Sequence, residues 1–382
     1  MAWVRSPLTR IVVLAIAFRC VGVLISYGSN VAFPQQHEMS FSVVEPSDPF
    51  WNSFARYDSG WYWSIAHDGY RYIPEQPNTL AFFPLYPLAM RAGGELLGGG
   101  RLAYFQAGIA VSWGAFVLGM LMLYRLARLD VDEDSAHRAV LYAMVFPFAF
   151  FYGKIYSESL FLLTVVTSVY AFRRGQWALG AVAGALATAT RVNGILLLPV
   201  LAWLAWQGTR NDRRQQAYAA LAVVGAGSGF AAYCLYNYLL SGSPLEWMSS
   251  IERWNYHPGG APWEPLVALA RQLVRRPREF LLEPNGLYDT LNGMTAMAFV
   301  AAIPFVWRRL GAGYAMYMAI NLLLPLSSGE FEGLGRYCAV LFPVFIWAGT
   351  WQGPIVQQLA VAGAAAAYAL CVSLWVNLHP LF

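Results

Sequence analysis

IVVLAIAFRCVGVLISY (residues 11–27) decides the fold. It is an apolar run led by Arg5 and Arg10, and runs like it recur to the C-terminus. About twenty apolar residues span a bilayer core. The chain has 382 residues, 58% of them hydrophobic and only 12% charged, where soluble domains carry roughly 25% charged residues. Mean hydropathy is +0.44. The composition excludes an ordinary soluble enzyme and implies an all-α, polytopic membrane protein. SYGSNVAFPQQHE follows the first run without a small-x-small cleavage pattern, so the run reads as a retained signal anchor with a cytoplasmic N-terminus.

Further spans are expected near 102–126, 138–153, 157–172, 177–190, 194–207, 217–240, 289–307, 311–327, 336–352 and 355–377. That makes about eleven transmembrane helices in one integral domain, 1–382. The positive-inside rule supports the map. Arg125 and Arg128, Arg173 and Arg174, Arg210, Arg213 and Arg214, and Arg308 and Arg309 all fall in alternate short loops. Two long loops then lie outside, a first at 30–101 and a second at 241–288. The second carries SIERWNYHPGGAPWEP and the basic run RQLVRRPREF.

The net charge of +4 is small and its arginines are scattered, so nucleic-acid binding has no support. Lys154 is the single lysine among 25 Lys and Arg residues. That skew points to a GC-rich, bacterial source and a bacterial plasma membrane. Cys20, Cys234, Cys338 and Cys371 sit in or beside apolar runs without metal spacing, as packing residues do.

The polar chemistry gathers just after the first span. RYDSGWYWSIAHDGYRY (56–72) holds two aspartates, a histidine, two arginines and six aromatic residues. A short helix from Asp58 to Gly69 would place Asp58, Trp61, Tyr62 and Ile65 on one face. Two readings of Asp58 stay open. It is an N-cap with Gly69 as the left-handed C-terminal residue, or it is a general base at the membrane surface. Asp68 lies about 80° around the axis from Asp58 and reads as a turn residue. His67 has no second histidine at ligand spacing, so no zinc site is expected. NTLAFFPLYPLAMRAGGELLG (78–98) predicts a short interfacial helix over 87–97, after Pro84 and Pro87.

Three segments put charge where spans meet the outside: FYGKIYSESLF (151–161), TATRVNG (188–194) and GEFEGLGRYCAVLFP (329–343). One such cation is commonly a snorkelling anchor. Lys154, Arg191 and Arg336 together could hold a phosphate or pyrophosphate whose lipid tail lies in the bilayer.

In order, ARYDSGWYWSIAHDGY, AFFPLYPL, FPFAFFYGKIYSESLFLL, TATRVNG and GRYCAVLFPVF resemble the PIG-V mannosyltransferase family. Its eukaryotic members add the second mannose of the GPI anchor. The resemblance runs over roughly residues 50–345, and 241–290 matches nothing in it. It implies the GT-C architecture, with a large first extracytoplasmic loop bearing interfacial helices and the catalytic acid. It also implies a polyprenyl-phosphate-mannose donor and a glycan or glycolipid acceptor, with no soluble cofactor and an open metal requirement. By this resemblance the catalytic acid maps onto Asp58, which would serve as base, and the YSES segment and the arginine of TATR map onto Tyr156, Ser157, Glu158, Ser159 and Arg191. With the charges at the span ends, Lys154, Arg191 and Arg336 are expected to hold the donor phosphate. Arg56, Trp61, Tyr62, His67, Tyr86, Tyr156 and Glu158 are expected to contact substrate. This chain has DSG where eukaryotic members follow the aspartate differently, which leaves the acceptor open. The alternative is a transporter or flippase for glycolipid intermediates. It predicts mid-membrane charges and repeated halves, whereas the spans read as nearly free of mid-depth charge.

Overall fold

The computed structural model describes residues 6–36, 48–254, 259–278, 284–329, 331 and 333–381. Parts of both expected outside loops therefore fall beyond the described residues, as do Glu330 and Glu332. Every regular element among the described residues is helical. Helix α1 is Pro7–Ala32, followed by α2 Pro49–Asn52, α3 Ser59–Asp68, α4 Leu85–Leu96, α5 Arg101–Ala127 and α6 Glu133–Val145. Next come α7 Glu158–Arg173, α8 Trp177–Thr188, α9 Leu197–Thr209, α10 Arg213–Ala226, α11 Ser228–Ser241 and α12 Glu246–Arg253. The remainder are α13 Glu264–Arg275, α14 Pro284–Leu310, α15 Ala312–Leu326, α16 Leu334–Ala339, α17 Pro343–Gly349 and α18 Pro354–Val376.

Among the described residues, six stretches are long and apolar enough to cross a bilayer: Pro7–Ala32, Arg101–Ala127, Val192–Thr209, Arg213–Ser241, Leu287–Leu310 and Pro354–Val376. Trp177–Thr188 and Ala312–Leu326 are apolar but shorter. Three expected spans are broken where the sequence breaks them. The run 138–153 divides at Pro147 into α6 and a 3-10 turn, Ala149–Gly153. The run 336–352 divides before Pro343 into α16 and α17, and 217–240 is interrupted at Gly227. Broken helices survive in a bilayer where protein, not lipid, surrounds them. Here the breaks are packed by Phe148, Phe150, Phe151, Tyr152, Phe342 and Trp375, all buried.

Local rules account for several ends. Asp132 caps α6 by accepting from the Ser135 N–H at 2.8 Å and the Ser135 hydroxyl at 2.6 Å. The hydroxyl and amide donors hold its carboxyl below the usual carboxylate range. Asp212 likewise caps α10, accepting from Arg214 N and Gln215 N. At the C-terminal ends of α5 and α7, Arg173 pairs with Asp130 at 2.5 Å, and the Tyr314 hydroxyl donates to the same Asp130 oxygen.

The first apolar run carries a charge at mid-span. Arg19, in the middle of α1, is buried; it donates to the Ala149 carbonyl at 3.0 Å and lies over the Phe116 ring at 4.3 Å. It faces protein, so the bilayer does not meet its charge.

Helices α8 and α11 approach closely because Gly229 lacks a side chain. A Cβ there would overlap the Ala185 carbonyl oxygen and sit 2.8 Å from Thr188 Oγ1. Thr188 itself bonds the Ala226 carbonyl and the Phe230 amide across the junction. Small residues permit such contact in membranes. Gly229→Ala is expected to destabilise the protein by about 1–3 kcal/mol through overpacking. Gly114→Ala, where a Cβ meets nothing within 4 Å, is expected to cost nothing and gain up to about 1 kcal/mol of helix propensity. Thermal unfolding in detergent compares the two; equal melting points would contradict the close crossing.

Candidate functional site

The aspartate of the DSG run is not a capping residue in the usual sense. Asp58 occupies the N-cap position of α3, yet its side chain makes no cap hydrogen bond. Instead Asp58 Oδ2 accepts from Arg336 Nη1 at 2.5 Å. The backbone reaches that position through Tyr57, which adopts φ +52, a conformation that costs a bulky residue free energy and persists where the surroundings enforce it. Gly69 closes the helix at φ +88 and ψ −178. Its φ is positive as expected, but its ψ is extended rather than left-handed helical, and the absence of a Cβ makes this accessible.

Arg56 does the enforcing. It is 1% exposed, and it donates to the Val376 carbonyl at 2.8 Å, Asn30 Oδ1 at 2.9 Å, the Ala55 carbonyl at 2.7 Å and Asn52. These bonds tie the 48–58 segment to α1 and α18. The expectation of Arg56 as a substrate contact is corrected, because its donors are consumed by the fold.

The centre of the site is Glu158, the first residue of α7 and 0% exposed. It forms an ion pair with Arg191, which sits on the extended link between α8 and the 3-10 turn Val192–Leu196. Arg336 of α16 brings Nε to 3.4 Å from the same Glu158 oxygen, an ionic contact without hydrogen-bond geometry. Carboxylate charge is favoured at a helix N-terminus. Arg336 lies 5.4 Å above the Tyr156 ring, and Arg191 lies 5.2 Å from the Tyr337 ring.

In front of these charges lies a cavity of about 280 Å³, lined by Asp58, Trp61, Tyr62, Phe82, Arg191, Asn193, Trp254, Arg336 and Tyr337 among others. Trp61 stacks near Phe82 at 6.2 Å and meets Trp254 edge-on at 5.0 Å. The Tyr62 hydroxyl is 3.0 Å from Ser157 Oγ, which places α3 against the start of α7. A cleft with an apolar wall and convergent charges is the usual form of a ligand site.

The structure thus brings Asp58, Trp61, Tyr62, Arg191 and Arg336 together, with Glu158 behind them and Tyr156 beneath Arg336. It corrects three further expectations. Lys154 is 4% exposed and donates to Ser26 Oγ at 2.5 Å and the Ser53 carbonyl at 2.7 Å, away from the cleft. The 3-10 turn before it directs the side chain towards α1, while Glu158, four residues on, faces the arginines. Tyr86 is buried, bonding the Gly108 carbonyl and Ser112. His67 stacks on Trp63 at 4.8 Å and contacts Asp68 at 2.7 Å, on the surface. Asp68 also meets Arg71 at 3.4 Å, as a turn residue would.

Trp254, Tyr337 and Asn193 were not singled out from the sequence. Tyr337 and Asn193 adjoin residues that were, in GRYCAV and TRVNG. Trp254 belongs to the long second loop, where no spacing rule links it to Trp61.

Fold and site together define a membrane-embedded helical protein of the GT-C class. ArnT from Cupriavidus metallidurans, solved bound to undecaprenyl phosphate, superposes with a TM-score of 0.53 at 12% identity, over 96% of this chain and 76% of that one. The archaeal oligosaccharyltransferase AglB from Archaeoglobus fulgidus, solved with an inhibitory peptide and a dolichol-phosphate, gives 0.50 at 12% identity, over 97% of this chain and 56% of that one. Residues 7–231 match the family described as Mannosyltransferase (PIG-V), and the chain belongs to it. It is similar to GPI alpha-1,6-mannosyltransferase 2 of Homo sapiens, 26% identical over 54% of this chain and 44% of that protein. The Cricetulus griseus counterpart is 28% identical over 51% of this chain and 42% of its own length. The chain thus spans less than half the length of these relatives. Asp58, Glu158 and Arg191 fall within the matched residues, whereas Trp254, Arg336 and Tyr337 lie beyond them.

Glu158→Gln would leave two neighbouring guanidinium groups without their shared buried carboxylate. Removing one partner of a buried ion pair costs about 3–5 kcal/mol. A markedly lower melting temperature in detergent is expected; a wild-type melting curve would show that Glu158 does not support the site.

Proposed function

We propose that this protein is an inverting glycosyltransferase that moves mannose from a polyprenyl-phosphate carrier to a hydroxyl of a lipid-linked or surface glycan. The observation that carries the reading is the cleft in which Asp58 meets Arg336, with Arg191 alongside, in a chain of the PIG-V family. The acceptor oxygen attacks the anomeric carbon from the face opposite the phosphate and gives its proton to Asp58. The carbon–oxygen bond to the phosphate breaks, and its electron pair leaves with the lipid phosphate. Arg191 and Arg336 stabilise that developing charge as preorganised donors. Trp61, Phe82 and Trp254 supply ring faces for the sugar and limit access of water.

The mannosyltransferase relatives support a mannosyl donor, and the lipid phosphates bound in the two structural neighbours support a polyprenyl carrier. The leaving group travels with the donor, so no nucleotide enters this reading. The arginine distribution favours a cytoplasmic N-terminus and an extracytoplasmic cleft. The lysine-poor composition favours a bacterial plasma membrane.

Asp58→Asn is expected to leave a folded, membrane-inserted protein whose transfer rate falls by about 10²–10⁴. The assay follows labelled mannose from polyprenyl-phosphate-mannose into glycans of reconstituted membranes. Transfer close to the wild-type rate would remove Asp58 from the mechanism.

A further inference from the structure

Arg336 is one cation between two carboxylates that differ in kind. Glu158 is fully buried and already paired with Arg191, so it is a fixed support. Asp58 lines the cavity and its side chain is 24% exposed. Among the described residues the one hydrogen bond made by Arg336 goes to Asp58, and its Nε has no hydrogen-bond partner. A guanidinium has five donors in a planar fork that matches the paired oxygens of a phosphate. The single-point contact with Asp58 is therefore the weaker of two arrangements open to Arg336 once a phosphate occupies the cavity. A carboxylate paired with a guanidinium is also a weaker proton acceptor than one without that partner.

We propose that Arg336, supported by Glu158, is handed from Asp58 to the donor phosphate on binding, so that Asp58 is released as a base only when a donor is in place. This rests on the reading of Asp58 as base and of the donor as a lipid phosphate. Asp58, Glu158, Arg191 and Arg336 balance in charge, which suits a cluster at the edge of a bilayer. The donor's anion then exchanges for the aspartate at the same cation. The order follows from the geometry: the donor binds, Arg336 changes partner, and the acceptor's proton moves.

The test is a double-mutant cycle on the affinity for undecaprenyl phosphate, titrated into full-length protein in nanodiscs. Asp58→Asn is expected to bind it about three- to thirtyfold more tightly than wild type, since no competing carboxylate holds Arg336. Arg336→Gln is expected to bind about tenfold more weakly. The double variant is expected to bind no more tightly than Arg336→Gln alone. Unchanged or weaker binding by Asp58→Asn overturns the handover. So does tighter binding that persists in the Arg336→Gln background, because it reports through-space repulsion instead. Should Asp58→Asn lack the wild-type melting profile, Asp58→Ser is read the same way. Lost transfer with unchanged affinity defeats the handover and leaves Asp58 standing as base. Retained transfer with Arg336-dependent tightening defeats the base and leaves the exchange of partners standing.

Discussion

The buried carboxylate of Glu158 is the constraint from which the site follows. A carboxylate out of water must be paired and hydrogen-bonded or it is severely penalised. Glu158 Oε1 is paired with Arg191, from the link after α8, and contacts Arg336, from α16, while Oε2 has no hydrogen-bond partner among the described residues. Arg336 extends the network to Asp58 on α3. Four segments, drawn from residues 58, 158, 191 and 336, are held at one end of the bundle by one charge. Loss of any of them would leave a partner uncompensated, so the network specifies how the ends of these helices meet.

Behind the cleft the electrostatics are of another kind. Arg19, Arg56 and Lys154 are buried, and they donate to carbonyl, amide and hydroxyl oxygens. These basic groups pin α1, the 48–58 segment and the turn before α7 together. They also leave the rear of the site richer in basic groups than in acidic ones. The division of labour is clear in the bonds: rear basic groups hold carbonyl, amide and hydroxyl oxygens, and front arginines hold carboxylates.

Much of the local structure was legible in the residues. The Asp58-to-Gly69 helix, the short helix after the paired prolines and the aromatic face of Trp61 and Tyr62 all follow from caps, breakers and helical spacing. Helix α4 begins at Leu85, two residues ahead of the expected 87, because Pro87 is tolerated within the first turn. Arg191 and Arg336 were identifiable as charges at span ends. Partner choice was not legible. Lys154 and Glu158 are four residues apart, but a 3-10 turn lies just before Lys154 and a helix begins at Glu158, so no single periodicity relates their directions. Arg56 and Asp58 are neighbours, yet one is spent on backbone carbonyls and the other faces the cavity.

The sequence by itself determined that this is a helical membrane protein, where its polar chemistry concentrates and which family it resembles. Apolar length, charge asymmetry and turn residues act locally, so they can be read in one dimension. Only the tertiary structure decided that Arg336 bridges Asp58 and Glu158, that Lys154 turns away, and that Trp254 closes the wall opposite Trp61. Those outcomes depend on which helix ends meet, and on the requirement that every buried charge find a partner among whatever side chains arrive there. That requirement is satisfied in three dimensions across hundreds of residues, and no spacing along the chain encodes it.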